Sequence, residues 1–156
     1  MFENEGFLMD LTQSEADGLR IVRKLFLDKM PLIINQPYSE QRQLRSETNP
    51  YDTFYLNINQ TAIEFGKYNT LTRYFSICLV RICIDKDSVH ENPDGKKIKG
   101  HHIHIYKEGY ADRFAYPLEN YNFSNFDIVP LLRQFLRFCN IEDITISEQR
   151  SMADGI

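Results

Sequence analysis

The chain has 156 residues, of which 42% are hydrophobic and 26% charged, so we expect one domain with a buried core and do not expect global disorder. Its net charge of −4 argues against a general nucleic-acid-binding protein, because such proteins usually carry a basic surface. The acidic N-terminus does not resemble a signal peptide and no apolar run reaches 18 residues, so we expect a cytoplasmic protein without a membrane span.

The first predicted element is a helix over residues 12–30. Thr12 and Glu15 match a capping box, apolar residues then recur at helical spacing, and Pro31 ends the pattern. Residues 35–52 are polar and include two prolines, which indicates a loop or a ragged edge strand.

From residue 54 the apolar period changes to two, which is typical of half-buried strands. The alternation predicts strands at 54–59, 62–65 and 73–85, a turn at 66–70, and short strands near 113–117 and at Ile144 and Ile146; a second helix is predicted over 127–139. The predicted fold is therefore α+β: an antiparallel sheet of about five to six strands with a long β-hairpin, packed by an N-terminal and a C-terminal helix. We expect a single domain over 1–156, with 1–10 and 150–156 frayed.

The long hairpin is predicted to turn at residues 92–95, where the sequence NPDG is a strong type I turn signature. Folding the chain back at this point pairs Asp85 with His102, Cys83 with His104 and Arg81 with Tyr106. A turn of this type often carries a bulge that shifts the register by one, and a second bulge near Gly100 would then restore the faces.

This hairpin gives the candidate site, a polar face with five side chains: Arg81, Asp85, His102, His104 and Tyr106. A structural polar face is favoured over catalysis, since ion pairs commonly produce such clusters. A metal site at His102 and His104, with Asp85 or His90 as a third ligand, is a weaker alternative because no fixed ligand set is apparent. The three cysteines have no metal-type spacing and are expected to be free thiols. We therefore expect no catalytic residue, no metal ligand and no cofactor.

The segment from Phe54 to Cys139 resembles an uncharacterised family of small phage and prophage proteins of Gram-positive bacteria. The resemblance rests on the stretches LVRICID, HENPDG, HHIHIYKEGY, FAYPL and FLRFCNI, in this order along the chain. In that family the strand at 56–60 is usually LDIxR-like, whereas this chain has Asn57 in place of the acid and Gln60 in place of the arginine.

The resemblance implies a phage setting, and with the acidic charge it favours a binding protein of the anti-CRISPR type. In this hypothesis the protein is a non-enzymatic inhibitor that contacts a host CRISPR-associated nuclease in the bacterial cytoplasm and does not bind nucleic acid directly. The alternative hypothesis is a small metal-independent ribonuclease that uses His102 and His104 as acid and base and Arg81 for charge stabilisation.

Overall fold

The computed structural model of the protein describes residues 10–34, 39–68, 76–123 and 125–148. The predicted frayed ends therefore lie, apart from Asp10, outside the described residues. In these ranges no helix is long and apolar enough to cross a membrane. The elements are α1 Gln13–Ile21, β1 Lys24–Phe26, β2 Leu32–Ile34, β3 Ser39–Ser46, β4 Thr53–Asn59, β5 Ala62–Tyr68, β6 Ser76–Cys83, β7 Val89–Glu91, β8 Lys97–Lys99, β9 His102–Ile105, β10 Ala115–Pro117, a 3-10 helix Leu118–Tyr121, α2 Ile128–Phe138 and β11 Ile146–Glu148.

Seven strands form one antiparallel sheet in the order β1-β3-β4-β5-β6-β9-β10. β2 and β11 pair in parallel, and β7 and β8 form a separate antiparallel hairpin. The predicted α+β class, with a large antiparallel sheet and one helix toward each end of the chain, is confirmed. The main sheet has seven strands where five to six were predicted.

Helix α1 begins as predicted but ends much earlier. The side chain of Thr12 accepts from the Glu15 N–H and the side chain of Glu15 accepts from the Thr12 N–H, so the capping box is present. The predicted extension to residue 30 is wrong, because Lys24–Phe26 pair with β3 instead. Long-range strand pairing thus overrides a local helical pattern. The second predicted helix, over 127–139, is confirmed as α2.

Residues 35–52 were predicted as a loop or a ragged edge strand and residues 66–70 as a turn, but parts of both segments form strands inside the main sheet. Ser39–Ser46 is an internal strand between β1 and β4, although only Leu44 and Ser46 of it are buried. Strand β5 continues through Gly66 to Tyr68, so the predicted turn at 66–70 is wrong at its first three residues. Its last two residues, 69 and 70, lie outside the described residues, as do residues 35–38 of the predicted loop.

Around the candidate site, the main sheet has one apolar face and one polar face. Val80, Ile82 and Ile103 are at most 1% exposed and belong to the core, which α2 joins with four buried residues. Burial of each such apolar side chain stabilises the folded state by about 1.5–3 kcal/mol relative to its exposure to water. Because successive side chains of a strand point to opposite faces, the residues between them lie on the other face of the sheet: Arg81, Cys83, His102 and His104.

Candidate metal centre

The pairing of β6 with β9 decides which side chains meet on this second face. Cys83 lies opposite His102, and Arg81 lies opposite His104. The three predicted pairs, Asp85 with His102, Cys83 with His104 and Arg81 with Tyr106, are therefore wrong by two residues. A shift of two residues leaves every side chain on its face, so the cysteine, the arginine and both histidines remain neighbours.

The chain between β6 and β9 folds into the separate β7–β8 hairpin instead of extending the β6–β9 ladder. The Gly95 N–H donates to the Asn92 carbonyl at 2.8 Å and closes the predicted turn, and Gly95 adopts φ 91°. The Asn92 side chain donates to the Ala115 carbonyl at 2.9 Å and accepts from the Ala115 N–H at 2.8 Å. These two bonds dock the hairpin on β10 and place His90, in β7, against the histidines of β9.

Three imidazoles are each fixed by one hydrogen bond to a backbone carbonyl. His102 Nδ1 donates to Gly100 at 2.9 Å, His104 Nδ1 donates to Asp112 at 2.8 Å, and His90 Nε2 donates to Arg113 at 2.9 Å. A carbonyl oxygen can only accept, so the bonded nitrogen of each ring carries the proton. In a neutral ring the other nitrogen then holds a lone pair, and this is the arrangement that metal-binding histidines usually show.

The same three rings lie close together, and the Cys83 side chain lies near two of them, His102 and His104. The ring centroids of His102 and His104 are 4.9 Å apart, and the His90 centroid lies 4.8 Å from His104 and 5.7 Å from His102. Potential ligand atoms of Cys83, His102 and His104 all lie within 4.8 Å of one another. His102 is 5% exposed and His104 2% exposed, while Cys83 is half-buried, so the two imidazoles need compensating interactions.

Cys83 differs from the other described cysteines in its ionisation. Burial raises the pKa of the Cys83 thiol, but the neighbouring His104 and Arg81 side chains outweigh this effect, so the pKa lies below the ordinary value. Burial instead raises the pKa of Cys78, and raises that of Cys139 to about 12. Since the thiolate is the form that binds metals, Cys83 is the cysteine best suited to ligation.

An ion-pair row crosses the sheet beside the cluster. Arg81 Nη1 lies 3.1 Å from Asp112 Oδ2 and 3.9 Å from Glu64 Oε1, and the Tyr55 hydroxyl donates to Glu64 Oε2 at 2.5 Å. Asp112 therefore serves twice, since its carboxylate holds Arg81 while its carbonyl orients His104. The row fixes the chain segment that aims the His104 ring.

The cluster fits the coordination chemistry of zinc. Zinc takes cysteine sulfur at about 2.3 Å and histidine nitrogen at about 2.0–2.1 Å in a tetrahedron, which places neighbouring ligand atoms about 3.5 Å apart. The widest separation here, 4.8 Å, closes by a movement of about 1 Å, within reach of side-chain rotation. One thiolate with neutral imidazoles is a donor set that suits zinc, a borderline-soft ion.

Two predicted site residues lie away from this cluster. Asp85 is exposed in the turn after β6, where its carboxylate accepts from the Asp87 N–H. Tyr106 is 3% exposed, and its hydroxyl accepts from the Leu11 N–H at 2.7 Å and donates to the Leu11 carbonyl at 3.2 Å. Tyr106 thus anchors the segment before α1 instead of extending a polar face.

The sequence pattern predicts a free thiol at Cys83 and offers His90 only as an alternative third ligand. The signal for Cys83 was its spacing, because a residue two positions after Arg81 must share its face. His90 offered a weaker signal, since its approach to β9 depends on how the separate hairpin docks.

Comparison with known proteins gives a family whose function is unknown. The family model described as "Family of unknown function (DUF6978)" matches residues 11–141, which include both helices and the whole candidate centre. No curated protein and no solved structure matches the chain.

Proposed function

The chain belongs to DUF6978, a family of unknown function, and we propose that it is a zinc-binding protein in which Cys83, His102 and His104 hold one zinc ion. One observation carries the proposal: potential ligand atoms of these three residues lie within 4.8 Å of one another, and a backbone carbonyl accepts from Nδ1 of each imidazole, which leaves Nε2 for the ion. Such outer bonds set the ring orientation and raise ligand basicity.

The role proposed for the ion is to stabilise the fold around β6 and β9. His102 and His104 are 5% and 2% exposed and Cys83 is half-buried, so most of the proposed ligand set lies below the surface. Zinc that binds the folded chain and not the unfolded one adds about 2.7 kcal/mol of stability at a free concentration one hundred times its Kd. For a chain of this length such a gain raises Tm by about 5–10 °C.

The test is a zinc titration of metal-free protein against a competing chelator, with Tm measured on the same samples. We expect one zinc ion per chain for the wild type and a loss of affinity of about a hundredfold or more in Cys83→Ser. The matched control is Cys78→Ser, on the same strand but outside the cluster, which should bind zinc like the wild type. Absence of zinc binding by the wild type, or an equal loss in both variants, would show the assignment to be wrong.

Inhibition of a host antiviral nuclease by this protein remains a prediction, and one feature of the structure favours it as a second function. The β7–β8 hairpin presents an exposed tip with charges of both signs: Glu91, Asp94, Lys96, Lys97 and Lys99. Charges placed in this way suit contact with another protein. Capture of a CRISPR-associated nuclease from host lysate by the wild type, lost when the three lysines are changed to glutamate, would support it; equal capture by both would remove the tip from the interface.

The metal-independent ribonuclease has less support. The Nδ1 atoms of His102 and His104 are bonded to carbonyls, and both rings are almost fully buried, so neither is placed to exchange protons with a bound RNA. A cytoplasmic location is part of the zinc proposal, because Cys83 must stay reduced to bind the ion and cytosolic thiols are kept reduced.

A further inference from the structure

We propose that His90 supplies the fourth zinc ligand, through Nδ1, so that the ion ties the β7–β8 hairpin to the main sheet. This inference rests on the proposed zinc site and completes it as a closed centre of one sulfur and three nitrogens. Four protein ligands are typical of structural zinc sites, whereas an open position filled by water is typical of catalytic ones.

The first observation is the orientation of His90. Its Nε2 donates to the Arg113 carbonyl at 2.9 Å, so Nδ1 of the neutral ring keeps its lone pair. The ring centroid lies 4.8 Å from that of His104, which matches the 4.9 Å between His104 and His102. The His90 ring is thus as near to the His104 ring as the rings of His102 and His104, the two proposed histidine ligands, are to each other.

The second observation is the weakness of the hairpin without a crosslink. β7 and β8 have three residues each, and the exposed ones include Val89, Glu91, Lys97 and Lys99. A two-stranded hairpin alone is marginally stable, and this one buries little apolar surface. Among the described contacts, its main attachments to the rest of the protein are the Asn92–Ala115 bonds and the His90–Arg113 bond. A metal bond to His90 adds the attachment that such a hairpin needs.

The third observation is the position of the His90 ring relative to the rings of His102 and His104. The His90 ring stacks on His102 with an interplanar angle of 27° and meets His104 edge-on at 84°. It therefore occupies the approach to the cluster from the hairpin side. His90 is not among the ligand atoms that lie within 4.8 Å of one another, so bonding to the same ion needs a movement of the hairpin toward β9.

The test uses X-ray absorption at the zinc edge together with zinc affinity, on the wild type and three variants. His90→Gln retains an amide that can donate to the Arg113 carbonyl but does not replace an imidazole ligand. His90→Cys supplies a different ligand at the same place. His101→Gln is the matched control, because the His101 ring packs on Phe126, with 4.4 Å between the ring centroids, and not on the cluster.

We expect one sulfur and three imidazole nitrogens around zinc in the wild type and in His101→Gln. In His90→Gln we expect one nitrogen to be replaced by an oxygen and the affinity to fall by more than about a hundredfold, beyond the 10–100-fold typical of an outer-shell partner. His90→Cys should recover affinity with two sulfurs bound. Amide hydrogen exchange in β7 and β8 should slow on zinc addition to the wild type but not to His90→Gln.

Two results would overturn the inference while leaving the zinc site intact. The first is a wild-type ion with one sulfur, two nitrogens and one water oxygen, which describes an open site. The second is equal zinc affinity in His90→Gln and the wild type. Failure of the wild type to bind zinc at all would instead remove the proposed function on which the inference depends.

Discussion

Replacing Gly66 with alanine should destabilise the protein more than any ordinary surface change. A Cβ at this position would overlap the ring and hydroxyl of Tyr55 and the carbonyl of Ile77. Tyr55 is 3% exposed and its hydroxyl donates to Glu64, so the ring cannot move away without losing that bond. Overpacking costs about 1–3 kcal/mol, and loss of a hydrogen bond to a charged group costs about 1.5–3 kcal/mol. We therefore expect the free energy of unfolding to fall by about 3–5 kcal/mol.

The assay is urea denaturation followed by circular dichroism and by tyrosine fluorescence, which is suitable because the chain contains no tryptophan. The matched control is Gly18→Ala in α1, where an added Cβ meets no atom within 4 Å. This control should stabilise the protein by about 0.5–1 kcal/mol through helix propensity. A loss below about 1 kcal/mol in Gly66→Ala would refute the reasoning, because it would mean that the Tyr55 ring yields at little cost.

Three further predictions concern other buried polar groups. Burial lowers the pKa of Lys24 in the folded protein to about 7, so above that pH the unfolded chain binds more protons than the folded one. The free energy of unfolding should therefore rise by about 2–3 kcal/mol from pH 6 to pH 9. Urea denaturation at each pH measures this rise, and Lys24→Met should flatten it. Asn92→Ala should cost about 1–3 kcal/mol, because both Ala115 backbone groups lose their bonds, and should speed hydrogen exchange in β7 and β8; unchanged exchange would contradict this docking role. Tyr106→Phe should cost about 0.5–1.5 kcal/mol and speed exchange at the Leu11 amide, an effect that a purely apolar role would not produce.

The sequence was sufficient for features that depend on neighbours along the chain. Alternation placed Ile82 and Ile103 in the core because the period of a strand is local. The Thr12–Glu15 capping box and the turn at Asn92–Gly95 were also predictable, since both are closed by bonds over three residues.

Features set by distant pairing were not predictable in the same way. Helix α1 stops at Ile21 because Lys24–Phe26 pair with β3, some twenty residues later in the chain. The β6–β9 register depends on a separate hairpin, and sequence alone did not show that the chain between the two strands forms one. The importance of Cys83 followed from that register, and the position of His90 followed from the docking of Asn92 on Ala115.

The measurement that tests the central claim most directly is a crystal structure of the protein grown with zinc, with anomalous diffraction recorded on both sides of the zinc absorption edge. The account predicts one strong anomalous peak about 2.3 Å from Cys83 Sγ and about 2.0–2.1 Å from Nε2 of His102 and His104. A structure without a peak at these atoms, or with zinc bound only elsewhere on the chain, would contradict it.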